Sequence, residues 1–198
     1  MKITKISPAV KTEGRYNVFV DDKFSFSLDE SQLVKIGLKK SDEISDERLT
    51  ELKTESDFGK NYIRAVDLIS RRLRSEKEIR DNAFRKNWTK ESTEKVIKRL
   101  RERGFLNDEK FAESFVRSRA ALRNYSARKM KLELAKKGIT KDIYGKVLAT
   151  SDEYDEQAAL KKLIAKKRTH YAGNEQKLIA YLARQGFQYD DIKSSLDD

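Results

Sequence analysis

The sequence predicts a mainly α protein: a tandem array of three three-helix repeats, elongated and curved, behind a small N-terminal β-rich extension. Three observations carry this expectation. Charged residues make up 39% of the 198 positions and the hydrophobic set only 37%, so the cores must be thin, as they are where small helical units stack in a row. One proline and eight glycines permit long helices and leave little material for extended linkers. From about Phe58 onward the same landmarks recur at intervals of 51 and 48 residues, as they do in repeat architectures.

Residues 1–56 form the expected extension. Tyr16, Val18 and Val20 alternate with Asn17 and Phe19, Asp21 and Asp22 supply a turn, and Phe24, Phe26 and Leu28 alternate with serines. This is the period-two pattern of a β-hairpin. Asp29 is placed to cap a short helix that carries Leu33, Val34 and Ile36 and stops at Gly37, and a second short helix is expected after Ser45.

The three repeats are placed at residues 57–108, 109–152 and 153–198. Ser75, Ser126 and Asn174 are good N-cap residues, and twelve positions after each stand Asn87, Gly138 and Gly186, the types that end helices in the left-handed conformation. Each stop is followed by a bulky apolar residue: Trp88, Ile139 or Phe187. Core positions keep step, with Ile79, Met130 and Leu178 four residues after the caps and Ile97, Leu148 and Leu196 twenty-two after. Arg72, Arg119 and Lys167 are expected to close the first helix of each repeat. Their distance to the cap is three residues in the first repeat and seven in the others, which places the difference in one loop. No repeat is large enough to bury its own core, so neighbours should stack.

The 44 Lys and Arg outnumber the 33 Asp and Glu, giving a formal charge of +11 and a pI near 9.6. The excess is uneven: residues 57–110 and 111–152 carry +6 each, residues 1–56 carry −1 and residues 153–198 are neutral. A basic surface confined to the middle of the molecule is therefore expected, with nucleic acid as the first candidate partner. The absence of cysteine and the single histidine, His170, exclude disulfides, thiolate metal sites and an imidazole cluster. Charge interrupts the N-terminus before any long apolar run, and no stretch of 18 uncharged apolar residues occurs. No export signal or membrane span is expected, and the cytoplasm is the expected compartment.

No catalytic residue, metal ligand or cofactor is expected. The nearest approach to a phosphate loop, Gly138 to Gly145 and Lys146, has six residues between the glycines and Val147 in the Ser/Thr place, so Gly138 reads better as a helix stop. His170 has no partner motif. Asp152, Glu153, Asp155 and Glu156, and likewise Asp108 and Glu109, fall where first-turn acids are expected from the helix dipole. The basic runs are the stronger signal: Arg71, Arg72 and Arg74; Lys95, Lys98, Arg99, Arg101 and Arg103; and Arg117, Arg119, Arg123, Arg128 and Lys129. Lys98 and Arg101 share a helix face, as do Lys95 and Arg99, so one anionic group can meet several cations. Phe84, Trp88, Phe105, Phe111 and Phe115 are expected in the core, which argues against base stacking as the main binding mode.

Several of these segments resemble the RecX family, the regulatory proteins that modulate the RecA recombinase. The resemblance rests on Arg-Ser-Glu-Lys-Glu-Ile at 74–79, Gly-Phe-Leu-Asn-Asp at 104–108, Phe111-Ala112, and Leu-Glu-Leu-Ala-Lys-Lys-Gly-Ile at 132–139. Arg184-Gln185-Gly186-Phe187 and Asp190-Asp191-Ile192 are similar to the family's C-terminal repeat, and the β-rich leader resembles an extension found in some members. Asn124-Tyr125-Ser126 departs from the pattern, since many members carry glycines around that tyrosine.

The resemblance implies a non-enzymatic regulator that binds RecA in the groove of its filament on single-stranded DNA. It further implies limits on filament growth, ATP hydrolysis, strand exchange and coprotease activity, and so a part in recombinational repair and the SOS response. Arg71, Arg72, Arg74, Lys98, Arg101, Arg119, Arg123 and Arg128 are expected to line a concave contact face for the filament and for DNA phosphates. A monomer is expected. The competing expectation is a stand-alone nucleic-acid-binding protein built from helical repeats, with no recombinase partner.

Overall fold

The structure, a computed structural model, describes residues 1–10, 12–152 and 154–197. Three strands and ten helices lie among them. Strands β1 (Ile3–Pro8), β2 (Arg15–Val20) and β3 (Lys23–Asp29) form an antiparallel sheet in that order. Asp21 and Asp22 both take positive φ, 46° and 62°, the two-residue turn whose twist matches that of the strands it joins.

Strand β1 was not expected, and its register explains why. A shift between Ile3 and Lys5 lets Ile3 and Ile6, three apart, reach the same core, so the period-two signal is lost. A second shift leaves Ser25 without a partner, because Val18 pairs with Phe26 while Phe19 pairs with Phe24. Phe24 is thereby turned outward, 58% exposed, and meets the Phe19 ring edge-on at 6.0 Å.

Helix α1 (Glu30–Ile36) begins with an Asp29–Gln32 capping box and stops at Gly37, as expected. Helix α2 (Asp46–Arg71) is capped by Ser45, also as expected, but it is not short: it runs 26 residues, straight through position 56. Its first half covers the sheet, with Leu52 in the core of Ile3, Val18, Phe26 and Leu28 and with Ser56 Oγ donating to the Ser27 carbonyl at 2.6 Å. Its second half faces α4, where Asn61 Nδ2 donates to Ser92 Oγ at 3.0 Å. Gly59 does not break the helix. It makes room for Gln32, whose carboxamide would collide with a Cβ at that position.

The remaining helices are α3 (Glu76–Arg85), α4 (Lys90–Glu102), α5 (Asp108–Arg123), α6 (Ala127–Lys136), α7 (Lys141–Thr150), α8 (Glu156–Arg168), α9 (Glu175–Arg184) and α10 (Tyr189–Asp197). The recurring landmarks sit where their chemistry requires. Ser75, Ser126 and Asn174 accept hydrogen bonds from the N–H groups of Glu78, Lys129 and Lys177. Asn87, Gly138 and Gly186 stand at φ 54°, 81° and 94°. The residue after each stop returns its N–H to the carbonyl five positions back, Trp88 to Ala83, Ile139 to Leu134 and Phe187 to Leu182, which satisfies carbonyls the helix end leaves orphaned.

Two expectations need correction. Arg119 does not close the first helix of its repeat: α5 continues four residues to Arg123. The longer spacing before Ser126 is therefore an extra helical turn, whereas before Asn174 it is a loop; like spacings conceal unlike causes. Phe84 and Phe105 are not core residues, at 82% and 45% exposed, while Phe111 and Phe115 are buried. With Ile79 and Ala83 turned inward on α3, Phe84 falls well off the buried stripe, which recurs at three and four residues.

The described residues divide into two compact units, one of residues 1–72 and 79–105, the other of residues 73–78 and 106–198. In the second unit Phe111, Phe115, Met130, Leu134 and Val147 build one core, and Leu160, Leu163, Leu178, Leu182 and Ile192 build another.

Candidate nucleic-acid and partner interface

One contact occurs twice at equivalent positions of the second unit, and it holds Lys77 and Lys137 at one joint and Arg128 and Lys129 at the other. At the first turn of α3, a Cβ on Gly138 would lie 2.6 Å from Lys77 Cβ, Lys137 Nζ donates to Glu78 Oε1 at 2.7 Å, and the Glu76 N–H donates to Asp108 at 2.8 Å. At the first turn of α6, a Cβ on Gly186 would lie 2.6 Å from Ser126 Oγ and 3.3 Å from Arg128 Cβ. There Lys129 Nζ donates to Gln185 Oε1 at 2.5 Å and the Ala127 N–H donates to Glu156 at 2.9 Å. Counted from the caps Ser75 and Ser126, the same positions meet the same positions. Asp108 and Glu156, read from sequence as dipole-matching acids, reach the exposed N–H groups of another helix.

The eight basic residues singled out from sequence fall in both units. Arg71, Arg72, Lys98 and Arg101 belong to the first. Arg71 is exposed and paired with Asp67 at 2.9 Å; Lys98 and Arg101 lie one turn apart on the exposed face of α4. Arg74, Arg119, Arg123 and Arg128 belong to the second unit. Arg72, Arg74 and Arg101 have further interactions within the chain, so none is a free cation. Arg119 is half-buried, its guanidinium carbon 4.9 Å from the Phe115 ring centroid and 5.9 Å from that of Tyr125, with Nε buried and unpartnered. It is held by ring faces.

Two of the eight line cavities: Lys98 one of about 310 Å³ in the first unit, shared with Glu55 and Glu102, and Arg123 one that holds no acid. The Arg123 cavity, about 290 Å³, lies wholly within the second unit and is lined by Arg123, Lys129, Lys166 and Lys167 together with Tyr125 and Tyr181. Lys129 Nζ stands 4.3 Å from the Tyr125 ring centroid and Lys167 Nζ 5.5 Å from that of Tyr181. None of its lining residues is acidic. Sequence reasoning missed Lys166 and Lys167 because residues 153–198 balance to zero. The balance hides segregation, with Lys166, Lys167 and Arg168 ending α8 while Asp190 and Asp191 open α10.

The alternatives weighed from sequence have structural employment. Gly138 is a helix stop, and Lys146 lies on α7 with Nζ 2.6 Å from Glu109, whose carboxylate raises the lysine pKa through their hydrogen bond. His170 is exposed and packs edge-on against Tyr171 at 4.8 Å. Glu153 lies outside the described residues. Among those described, no three His, Cys, Asp or Glu side chains gather as a metal site, and no helix is long and apolar enough to cross a membrane.

Three family profiles match the chain: "Regulatory protein RecX N-terminal domain" at residues 1–45, "RecX, first three-helix domain" at 62–100 and "RecX, second three-helix domain" at 107–148. Among curated relatives, "Regulatory protein RecX" of Bacillus subtilis (strain 168) is 34% identical over 98% of this chain and 76% of its own length. That of Clostridium perfringens (strain SM101 / Type A) is 33% identical over 96% and 92%. A solved structure described as "Crystal structure of regulatory protein RecX" superposes with a TM-score of 0.80 at 27% identity, covering 100% of this chain and 99% of the other. "Crystal structure of RecX from Lactobacillus salivarius" gives 0.62 at 26% identity, covering 71% and 95%.

Proposed function

The chain belongs to the RecX family of regulatory proteins, and on that footing we propose that it binds the RecA recombinase on single-stranded DNA and limits what the filament does. The effects are on filament growth, ATP hydrolysis, strand exchange and coprotease activity, and through them on recombinational repair and the SOS response. The protein acts by binding, with no chemical step of its own, and it acts in the cytoplasm.

The observation that carries this reading is the family match across nearly the whole chain, β-rich leader included. The +11 charge and the exposed cations of α4 and of the α5 and α8 ends support it, because a filament that wraps DNA presents phosphate and repays cations arranged along a row of repeats. Arg71, Arg72, Lys98, Arg101, Arg123 and Arg128 are the exposed members of the proposed contact set, and Arg74 is half-buried. Arg119 serves the set from behind, by fixing Tyr125.

The test is DNA-dependent ATP hydrolysis by RecA while this protein is added from well below stoichiometric amounts. Hydrolysis should fall early in the titration, and Lys98→Glu with Arg101→Glu should move the half-point up by about tenfold, the effect of losing roughly 1.4 kcal/mol. A fall that appears only once the added protein suffices to coat the DNA would replace this reading with that of a stand-alone DNA binder.

A further inference from the structure

We propose that the cavity lined by Arg123, Lys129, Lys166, Lys167, Tyr125 and Tyr181 holds a phosphodiester of a single-stranded nucleic acid, so that the third repeat, neutral overall, contributes a DNA contact of its own. The proposal rests on the reading that the protein works on DNA, and it assigns residues that reading does not contain. Four cations converge on about 290 Å³ with no acid among the lining residues. Arg123, Lys166 and Lys167 have no ion pair among the described residues, whereas Lys136 and Lys193 are held by Glu133 and Glu175. Like charges brought together without a counter-ion repel, and an anion entering the cavity relieves all four at once.

Part of the arrangement has a simpler origin. Lysines in the last turn of α8 and an arginine at the end of α5 complement helix dipoles. Lys129 does not: it stands in the first turn of α6, which has no acidic residue and where the dipole disfavours a cation. Contacts with Gln185 and the Tyr125 ring hold it there.

The chemistry selects phosphate over carboxylate. Three of the four cations are lysines, compact point charges that suit a phosphate, whereas carboxylates are matched by the planar fork of arginine. The two tyrosines add hydroxyl donors and ring surface beside the charge, the combination that single-strand binders use to seat backbone and base together. The volume is at the small end for ligand cavities and suits one nucleotide unit.

Anisotropy of a labelled oligothymidylate, titrated with the full chain across a range of salt, tests this without RecA. Lys166→Gln with Lys167→Gln should weaken binding about tenfold at low salt and flatten the log–log salt dependence by about 1.4 units, as expected for two lost phosphate contacts on a single strand. Lys136→Gln with Lys193→Gln removes the same charge from ion-paired sites and should leave the slope unchanged. Equal losses in the two variants would mean that net charge alone acts and would overturn the cavity assignment, as would no loss in the first variant. Polyglutamate of matched charge should compete poorly; displacement as effective as that by unlabelled oligothymidylate would overturn the choice of nucleic acid. Because the RecA assay is separate, a failure here leaves the regulatory reading standing, and a failure there leaves this one standing.

Discussion

Gly138 combines two demands that rarely meet at one residue. Its φ of 81° is open to glycine and strained for other residues, and a Cβ there would press on Lys77 Cβ at 2.6 Å. Gly138→Ala should therefore cost about 2 kcal/mol or more in chemical denaturation. Asn87, at the equivalent stop with φ 54°, predicts the reverse sign: Asn87→Gly should be neutral or stabilise by up to about 1 kcal/mol. Tyr154 provides a pH-dependent test. Burial, followed by the nearby Glu156 and Asp155, pushes its phenol above the ordinary value near 10, and its hydroxyl donates to the Tyr125 carbonyl at 3.0 Å. The unfolded chain then loses this proton first, so the stability Tyr154 contributes is complete below about pH 10 and declines as the pH rises beyond it. Tyr154→Phe should lower stability at neutral pH and flatten the alkaline fall, read from urea midpoints between pH 8 and 11.

At the scale of the element, helix ends carried most of the legible information, because a cap is a chemical requirement of one residue. Ser45, Ser126 and Asn174 cap helices as read from sequence, and Gly37, Gly138 and Gly186 stop them. What lies between ends was harder to see. Helix α2 was read as short because the hairpin pattern before it and the repeat pattern after it suggest a boundary, whereas no residue from Asp46 to Arg71 supplies one. Strand β1 was missed because its bulge breaks alternation. Caps are also unequal in weight. Ser126 is fully buried, accepts from Lys129 N at 3.1 Å and donates to the Gln185 carbonyl at 2.7 Å. Asn174 is exposed and accepts only from Lys177 N at 3.0 Å. Ser126→Ala should cost about 2 kcal/mol and Asn174→Ala about 1 or less, compared by thermal or denaturant melts.

For the whole molecule, α2 decides which pieces are viable. A fragment ending at residue 56 keeps Leu52 but cuts the helix at Ser56, whose hydroxyl ties it to Ser27. It should show little cooperative melting by circular dichroism, whereas residues 1–105, which retain α4 against the second half of α2, should melt cooperatively. Charge was legible at this scale as an excess and illegible as a place. Summing over residues 153–198 cancelled the acids of α10 against the lysines of α8, which the fold keeps apart, so the cavity they help to form left no trace in the sums.

The contact that recurs at the first turns of α3 and α6 has a consequence for the gene. Because equivalent positions make both joints, removing residues 127–174, one period of 48, would set Ser126 directly before Glu175, so that an authentic cap meets an authentic first turn. Gln185, Gly186 and Phe187 would then stand where Lys137, Gly138 and Ile139 stood, presenting a polar–glycine–apolar plug of the same order to the first turn of α3. Unequal crossing-over between repeats would thus shorten or lengthen the reading frame by whole periods while keeping the glycine stop and cap at the remaining seam, with a neutral Gln185–Glu78 contact in place of the Lys137–Glu78 ion pair, which makes repeat number a quantity that mutation can change in a single step.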